Sequence, residues 1–352
     1  MPPYLYKVQE ELGEDWNKTT LYGALENLLD EIKDDERFRP DLVVYIGGHI
    51  VSKKLKSYLR SLKGVEQIRI SQEADIEDTF MHLTKVMDLP NSDAMSWLGN
   101  FGCHNHWEDY RKLWMDALAK SYERKENFKP EFSSLATIKE FFSQLQKVEP
   151  QDFKAFTLGG KDAQDDGIYD REFDTFLPGL MSSVISGNSS AIRLMNLYAD
   201  RHVYCNRGVN GIEGSLSTAV GFSMCKNKSD KHVYCVLGDL SFFYDQNALW
   251  NRNLNGKLRI IVLNNGGGAI FGKFQELKES QAREEIIMAK HHATAEGICS
   301  QNEVKYLAAH TMEEMEQGIS QLIHAESERP MLLEVFTDMD VDNEMLEAIQ
   351  KC

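Results

Sequence analysis

The stretch HVYCVLGDLSFFYDQNALWNRNLNGKLRIIVLNNGGGAIF, residues 232–271, leaves this chain few folds to choose from. An apolar run ends at Leu237 and is followed at once by Gly238-Asp239-Leu240-Ser241. The pattern then predicts a helix through Tyr244 to Leu254 and a second buried strand ending at Leu263-Asn264-Asn265. A strand–helix–strand unit of this length is a right-handed parallel crossover, which brings both strand ends to the same edge of one sheet. Asp239 and Asn265 are therefore expected as neighbours at that edge, where open α/β sheets bind their ligands.

The residue types there suit one task. Asp239 offers a carboxylate, Asn265 an amide oxygen and the glycine run a backbone carbonyl. Three hard oxygens leave the rest of an octahedron for phosphate oxygens and water, the usual setting of Mg²⁺. Backbone N–H groups of Leu240 and Ser241, at a helix start, can hold the same diphosphate. Gly266, Gly267 and Gly268 let the chain turn tightly and approach a ligand with no Cβ in the way. A capping aspartate beside a flexible glycine loop is the plain alternative. The N-N-G-G-G run at the next strand end favours the metal–diphosphate reading.

Two arginines lie in similar surroundings. Asn188-Ser189 are expected to cap a helix whose second turn begins near Arg193, and Arg207 sits in the turn CNRGVNG. Guanidinium forks near a diphosphate offer planar sites for substrate carboxylates, against the alternative of ordinary surface ion pairs.

Other parts of the chain set bounds. DLVVYIGG (41–48) and EQIRI (66–70) read as strands around a basic helix from Lys53 to Arg60, which again suggests a parallel sheet. Helices are expected at 108–126 and 134–146, with a break at Lys129-Pro130. Strands are expected near 232–237, 258–264 and 331–336. The formal charge of −16 over 352 residues offers no basic field for nucleic acid or an anionic membrane. No apolar run reaches 18 residues, and the first residues lack the basic and apolar regions of a secretion signal. Six cysteines (103, 205, 225, 235, 299, 352) show no C-x-x-C pair, which points to reduced thiols and a cytoplasmic setting. Cys103-His104-x-His106 lacks a second ligand pair at zinc-site distance and reads as an idle loop. Trp97, Trp107 and Trp114 read as core or interface residues.

The 232–271 motif resembles the fingerprint of thiamine-diphosphate enzymes, in the GDLS variant of the menaquinone-pathway 2-succinyl-5-enolpyruvyl-6-hydroxy-3-cyclohexene-1-carboxylate synthases. The resemblance continues in GNSSAIRLMNLYADRHVYCNRGVNGIEGSLSTAVGFS (187–223) and is faint over 40–70. It implies a thiamine-diphosphate-binding α/β fold, a parallel sheet with helices on both faces, preceded by part of a smaller α/β middle domain. On that basis residues 1–129 belong to the middle domain and 130–352 to the diphosphate-binding domain, with an acidic insertion near 150–178.

The same resemblance assigns roles residue by residue. Gly238, Asp239, Leu240, Ser241, Asn265 and Gly267 would hold thiamine diphosphate and Mg²⁺ (or Mn²⁺), with Asp239, Asn265 and the Gly267 carbonyl as metal ligands. Ile212 would bend the cofactor from beneath, and Ile270 and Phe271 would line the pocket above it. Ser189, Arg193 and Arg207 would hold the carboxylates of 2-oxoglutarate and isochorismate, helped by Lys53 and Lys54. The family prefers Lys-Arg at that pair, and a lysine makes the weaker planar fork. His291 resembles a structural histidine. The reaction implied is decarboxylation of 2-oxoglutarate and addition of its succinyl carbanion to isochorismate. A homo-oligomer, dimer or tetramer, or a separate N-terminal half is also implied, because the family's activating glutamate lies in a pyrimidine-binding domain that no segment here resembles. Another carboligase of the acetohydroxyacid-synthase type, or a non-catalytic remnant, is the alternative.

Overall fold

The computed structural model describes residues 20–46, 50–72, 76–90, 93–94, 97, 108–149, 182–208, 210–225, 231–273 and 280–352. The acidic insertion, Cys103-His104-x-His106, Trp107 and the Gly47-Gly48 turn lie outside the described residues. The described chain falls into two compact units, one through Asn127 and one from Phe128 to Lys351.

The first unit contains α1 (Thr20–Ile32), β1 (Leu42–Ile46), α2 (Lys53–Ser61), β2 (Glu66–Ser71), β3 (Lys85–Asp88) and α3 (Glu108–Asn127). Its strands form a parallel sheet in the order β1-β2-β3. Both anticipated strands are present; β3 is an addition that its short, half-exposed sequence KVMD did not announce. Ser52 caps α2 by accepting from Leu55 N at 2.9 Å. Leu28, Leu29, Ile32, Phe38, Tyr58, Leu62 and Val65 form the core, against which Trp114 packs. The Trp114 ring meets Phe38 edge-on at 5.2 Å, as expected of a core tryptophan.

The second unit contains α4 (Ser134–Val148), β4 (Ser183–Ser186), α5 (Ser190–Tyr198), β5 (Val203–Cys205), α6 (Ser215–Cys225), β6 (Val233–Gly238), α7 (Asp239–Asp245), β7 (Leu258–Asn264), α8 (Glu296–Gln301), β8 (Lys305–Ala309), α9 (Met312–His324), β9 (Met331–Phe336) and α10 (Met339–Gln350). Six strands lie in the order β5-β4-β6-β7-β9-β8, every neighbouring pair parallel. This is the anticipated α/β architecture, a wholly parallel sheet. β7 is buried at every position because helices cover both faces of the sheet, so it reads as a near-continuous apolar run, broken by Arg259.

The chain runs from β4 to β5 on one side and then crosses to β6 on the other. The strand order therefore reverses between β4 and β6, and that crevice is the topological switch point. The backbones close tightly there: a Cβ on Gly187 would come within 2.9 Å of Leu237 Cβ.

Two local expectations are corrected. The helix after β6 starts beside Leu240 and Ser241 as expected but does not reach Leu254. It begins at Asp239, lasts seven residues, and passes into a 3₁₀ turn over Gln246–Trp250. Beyond the 3₁₀ turn asparagines keep the chain from resuming a helix: Asn251 Oδ1 takes the Asn253 N–H and Asn255 Oδ1 the Lys257 N–H, each at 2.9 Å, as side-chain turns. Nor do Asn188 and Ser189 cap α5 with their side chains. Ser189 occupies the cap position at φ 67° without a side-chain bond, and the Asn188 amide is committed to Asn206 and Gly211.

Buried Arg259 on β7 donates to the carbonyls of Leu322 at 3.0 Å and Ala325 at 2.8 Å, closing the C-terminal end of α9. A guanidinium suits that end because the last helical carbonyls have no partner of their own and carry partial negative charge.

Candidate active site at the sheet edge

Register fixes how the site assembles. Gly238 pairs with Leu263 across β6 and β7, so both strands release their chains at the same level. Asp239 is 2% exposed and its Oδ2 accepts from Gly267 N at 2.9 Å, which ties the loop after β7 directly to the aspartate. Its Oδ1 accepts from Leu240 N at 2.6 Å. The fold joins Asp239 to the loop after β7 through the Gly267 N–H.

The loop has its shape because it is glycine. Gly266 adopts φ 79° and Gly267 φ 151°. A Cβ at Gly267 would lie 2.6 Å from Met288 O, and that carbonyl is itself held by Gly268 N at 2.7 Å. Such positive φ at an unyielding contact excludes other residues. Asn264 reinforces the turn: its Oδ1 accepts from Gly266 N at 3.1 Å, and its Nδ2 donates to Ala293 O at 3.0 Å and to Glu334 Oε1 at 2.7 Å. Asn265 turns the other way and donates Nδ2 to Asp342 Oδ2 at 2.8 Å. Burial raises the Asp342 pKa, and its hydrogen bonds from Asn265, Ser134 and Thr337 act against that.

His291 packs behind the aspartate, with Nε2 3.3 Å from Asp239 Oδ2. Its pKa is raised, chiefly by that carboxylate, with burial opposing. The Ala293 N–H, 3.1 Å from Nδ1, needs a lone pair there and so favours the neutral ring with its proton on Nε2. A cavity of about 420 Å³ opens beside this loop, with Asn265, Gly266, His291 and Thr337 among its walls.

Around the switch point, Asn188 organises the second motif. It is 4% exposed and donates Nδ2 to Asn206 O at 2.8 Å and to Gly211 O at 2.5 Å. Its Oδ1 accepts from Arg207 Nη1 at 2.9 Å. Arg207 is thus anchored to the β4 end, and the loop carrying Ile212 is drawn to it. Ser241 Oγ donates to the Ile212 carbonyl, which joins that loop to α7. Ser189 and Arg193, at the cap and in the first turn of α5, are both half-buried. Ile270 and Phe271 occupy the 3₁₀ turn after the glycines, Phe271 41% exposed. Lys53 and Lys54 belong to the first unit, where Lys54 Nζ pairs with Asp30 at 2.6 Å.

The donor set suits a diphosphate-bound divalent cation. Among the described residues no cluster of three or more His, Cys, Asp or Glu side chains could hold a metal by itself. One carboxylate, one amide oxygen and one carbonyl could instead offer part of a shell that phosphate oxygens would complete. Asp239 retains acceptor capacity for this, since a carboxylate offers about four lone-pair sites. The sequence reading did not single out Asn188, Glu334 or Asp342 for the site. Asn188 lies in the 187–223 motif, where its residue type and position suggest a helix cap and hide its bonds to Asn206, Arg207 and Gly211. Asp342 bonds a residue 77 positions away, and no local pattern marks it.

Residues 186–335 match the family model described as "Thiamine pyrophosphate enzyme, C-terminal TPP binding domain". With the sheet order and the loop geometry, this places the second unit among the thiamine-diphosphate-binding folds. More particularly, the chain is similar to proteins named 2-succinyl-5-enolpyruvyl-6-hydroxy-3-cyclohexene-1-carboxylate synthase. It is 32% identical to the protein of that name from Phocaeicola vulgatus over 361 residues, covering 97% of this chain and 56% of the relative. The protein of that name from Bacteroides thetaiotaomicron is 32% identical, covering 87% of this chain and 49% of the relative. That from Christiangramia forsetii is also 32% identical, covering 96% and 54%. The chain spans about half the length of these curated relatives.

Proposed function

We propose that this chain is the diphosphate-binding portion of a thiamine-diphosphate carboligase that decarboxylates 2-oxoglutarate and joins its succinyl unit to isochorismate, in menaquinone biosynthesis. The supporting observation is the convergence of Asp239 and the Asn265–Gly267 loop, locked by the Gly267 N–H on Asp239, at the carboxyl edge of a parallel sheet. The name of the relatives gives the product, a 2-succinyl cyclohexenecarboxylate, and the proposed substrates are the succinyl donor and the ring acceptor that would yield it. Thiamine diphosphate, when bound, supplies the chemistry by which a 2-oxo acid loses CO₂ and its acyl carbon becomes a nucleophile.

The chain's own residues do the holding. Asp239, the Asn265 oxygen and the Gly267 carbonyl would carry Mg²⁺ or Mn²⁺, and Gly238, Leu240 and Ser241 would flank the diphosphate. Ile212 would support the cofactor from beneath, with Ile270 and Phe271 above. Arg207, fixed by Asn188, and Arg193 with Ser189 would orient substrate carboxylates, so that reacting atoms meet without a search over orientations. Lys53 and Lys54 would add positive charge toward isochorismate. The protein is proposed to work in the cytoplasm as a homo-oligomer, with small-molecule partners only; among the described residues no helix is long and apolar enough to cross a membrane.

Calorimetric titration tests this. Thiamine diphosphate should bind only when Mg²⁺ or Mn²⁺ is present, and Asp239→Asn should weaken that binding at least tenfold, in line with loss of a charged metal ligand. Binding that ignores the cation, or none at all, overturns the proposal.

A further inference from the structure

An asparagine can serve a cation only through its oxygen. The side-chain amide has two ends of nearly equal size and opposite polarity, and an NH₂ group turned toward a divalent cation repels it. Whether Asn265 is a ligand therefore depends on what holds its other end.

Asp342 holds it. The carboxylate lies in the first turn of α10, just beyond the end of β9, and takes Asn265 Nδ2 on Oδ2 at 2.8 Å. Its remaining partners are donors too. Ser134 N reaches Oδ1 at 2.7 Å, Ser134 Oγ reaches Oδ2 at 2.7 Å, and Thr337 Oγ1 reaches Oδ2 at 3.0 Å. The backbone N–H of Ser134 can only donate, at the start of α4, where the first N–H groups of a helix need an outside acceptor. A carboxylate surrounded by donors is an acceptor on both oxygens. It can therefore receive the NH₂ end of Asn265 and leaves Oδ1 turned away from it.

We propose that Asp342 is the positioning residue that sets the polarity of the Asn265 amide, holding its oxygen available to the divalent cation. The inference rests on the metal–diphosphate reading above. It assigns Asp342 a task that the joining of α10 to α4 would not require. The two tandem asparagines are thereby divided in labour by two carboxylates: Glu334 holds Asn264 as a brace for the glycine turn, and Asp342 holds Asn265 as a donor of oxygen.

The test is a Mg²⁺ titration of the full chain at saturating thiamine diphosphate, read by calorimetry, with the thermal midpoint of each metal-free protein measured beside it. In Asp342→Asn the Ser134 N–H keeps the oxygen of the new amide on its own side. The NH₂ then faces Asn265, which must rotate its oxygen inward and away from the cation. Mg²⁺ affinity should fall about 10–100-fold, the usual effect of losing a partner behind a metal ligand. Adding Asn265→Asp to that variant reverses the donor–acceptor pair, since a carboxylate can accept from the new NH₂ and still offer an oxygen outward. Affinity should return to within a few-fold of the parent. Ser134→Ala, which removes a hydroxyl donor without touching Asn265, should leave Mg²⁺ affinity unchanged within about threefold.

Unaltered Mg²⁺ affinity in Asp342→Asn overturns the inference while leaving the metal–diphosphate reading standing, and so does a double variant no better than the single one. A parent chain that shows no Mg²⁺-dependent binding removes both. Should Asp342→Asn not fold, the parent still decides: the Asn265 side-chain NH₂ resonances, assigned by their loss in Asn265→Asp, should exchange slowly with water before metal is added. Exchange at the rate of a solvent-exposed amide overturns the inference.

Discussion

His232, at the foot of β6, shows how much a single side chain can tie this fold to pH. Its Nδ1 is buried without a hydrogen-bond partner, and its pKa is lowered to about 4, first by burial and then by the nearby charges of Arg259, Lys257 and Lys231. The unfolded chain takes up a proton near the ordinary value of 6.5, the folded chain only near 4. Between those values the unfolded state binds more protons, so stability falls as the pH drops from about 6.5 to about 4 and levels off below. The shift corresponds to about 1–3 kcal/mol after allowance for partial exposure of the ring. The ring centroid sits 5.9 Å from that of Tyr234, edge to face, and a phenyl ring can keep that contact. His232→Phe should therefore unfold at a urea midpoint that changes less between pH 6.5 and pH 4 than the parent's. Parallel pH profiles would show that other groups govern the acid limb.

At the scale of the element, the loop after β7 is the part most exposed to test. Gly267→Ala asks the chain to keep φ 151° with a Cβ driven toward Met288 O. The opposing atom is backbone, already bonded to Gly268, so the loop must shift and not the neighbour. We expect at least a tenfold loss of Mg²⁺-dependent thiamine diphosphate binding, with a drop of only a few degrees in the metal-free thermal midpoint, because β7 below it is untouched. Equal loss of both would mean that the loop is structural. The glycine-rich character of this loop was readable from sequence, and so were β6, β7 and β9, since central strands buried on both faces leave mostly apolar runs, interrupted only by Arg259 in β7 and Glu334 in β9. β4, β5 and β8 were not. β5 has three residues, and at the sheet margin its side chains alternate between half-buried and exposed, so VYC carries no run to recognise. β8, at the other margin, has a similarly broken pattern. The extent of α7 is overstated by FFYDQNALW, whose pattern continues past Asp245, where the helix gives way to a 3₁₀ turn. Side chains that act on the site across long sequence separations, Glu334 on Asn264 and Asp342 on Asn265, leave no periodic trace at all.

The whole molecule divides its labour between two cores. Leu28, Leu29, Ile32 and Phe38 centre one, while Ile185, Leu237, Phe242, Ile260 and Val262 belong to the other. Every group proposed to hold the cation and its diphosphate lies in the second unit, and only Lys53 and Lys54 among the proposed substrate groups lie in the first. A ligand that binds the native state stabilises what it touches by mass action, about 2.7 kcal/mol when it stands at a hundred times its dissociation constant. For a unit of this size that amounts to roughly 5–10 °C in thermal midpoint. Calorimetric scans with and without Mg²⁺ and thiamine diphosphate should therefore move the melting of the second unit by about that much and leave the first nearly in place. Site-specific probes can assign the transitions: Trp114 lies in the first core and Trp250, 81% exposed on the 3₁₀ turn after α7, in the second unit. A shift shared equally by both probes would mean that the units melt as one, and that the cofactor's binding energy is spread over the whole chain instead of being confined to the sheet that carries Asp239.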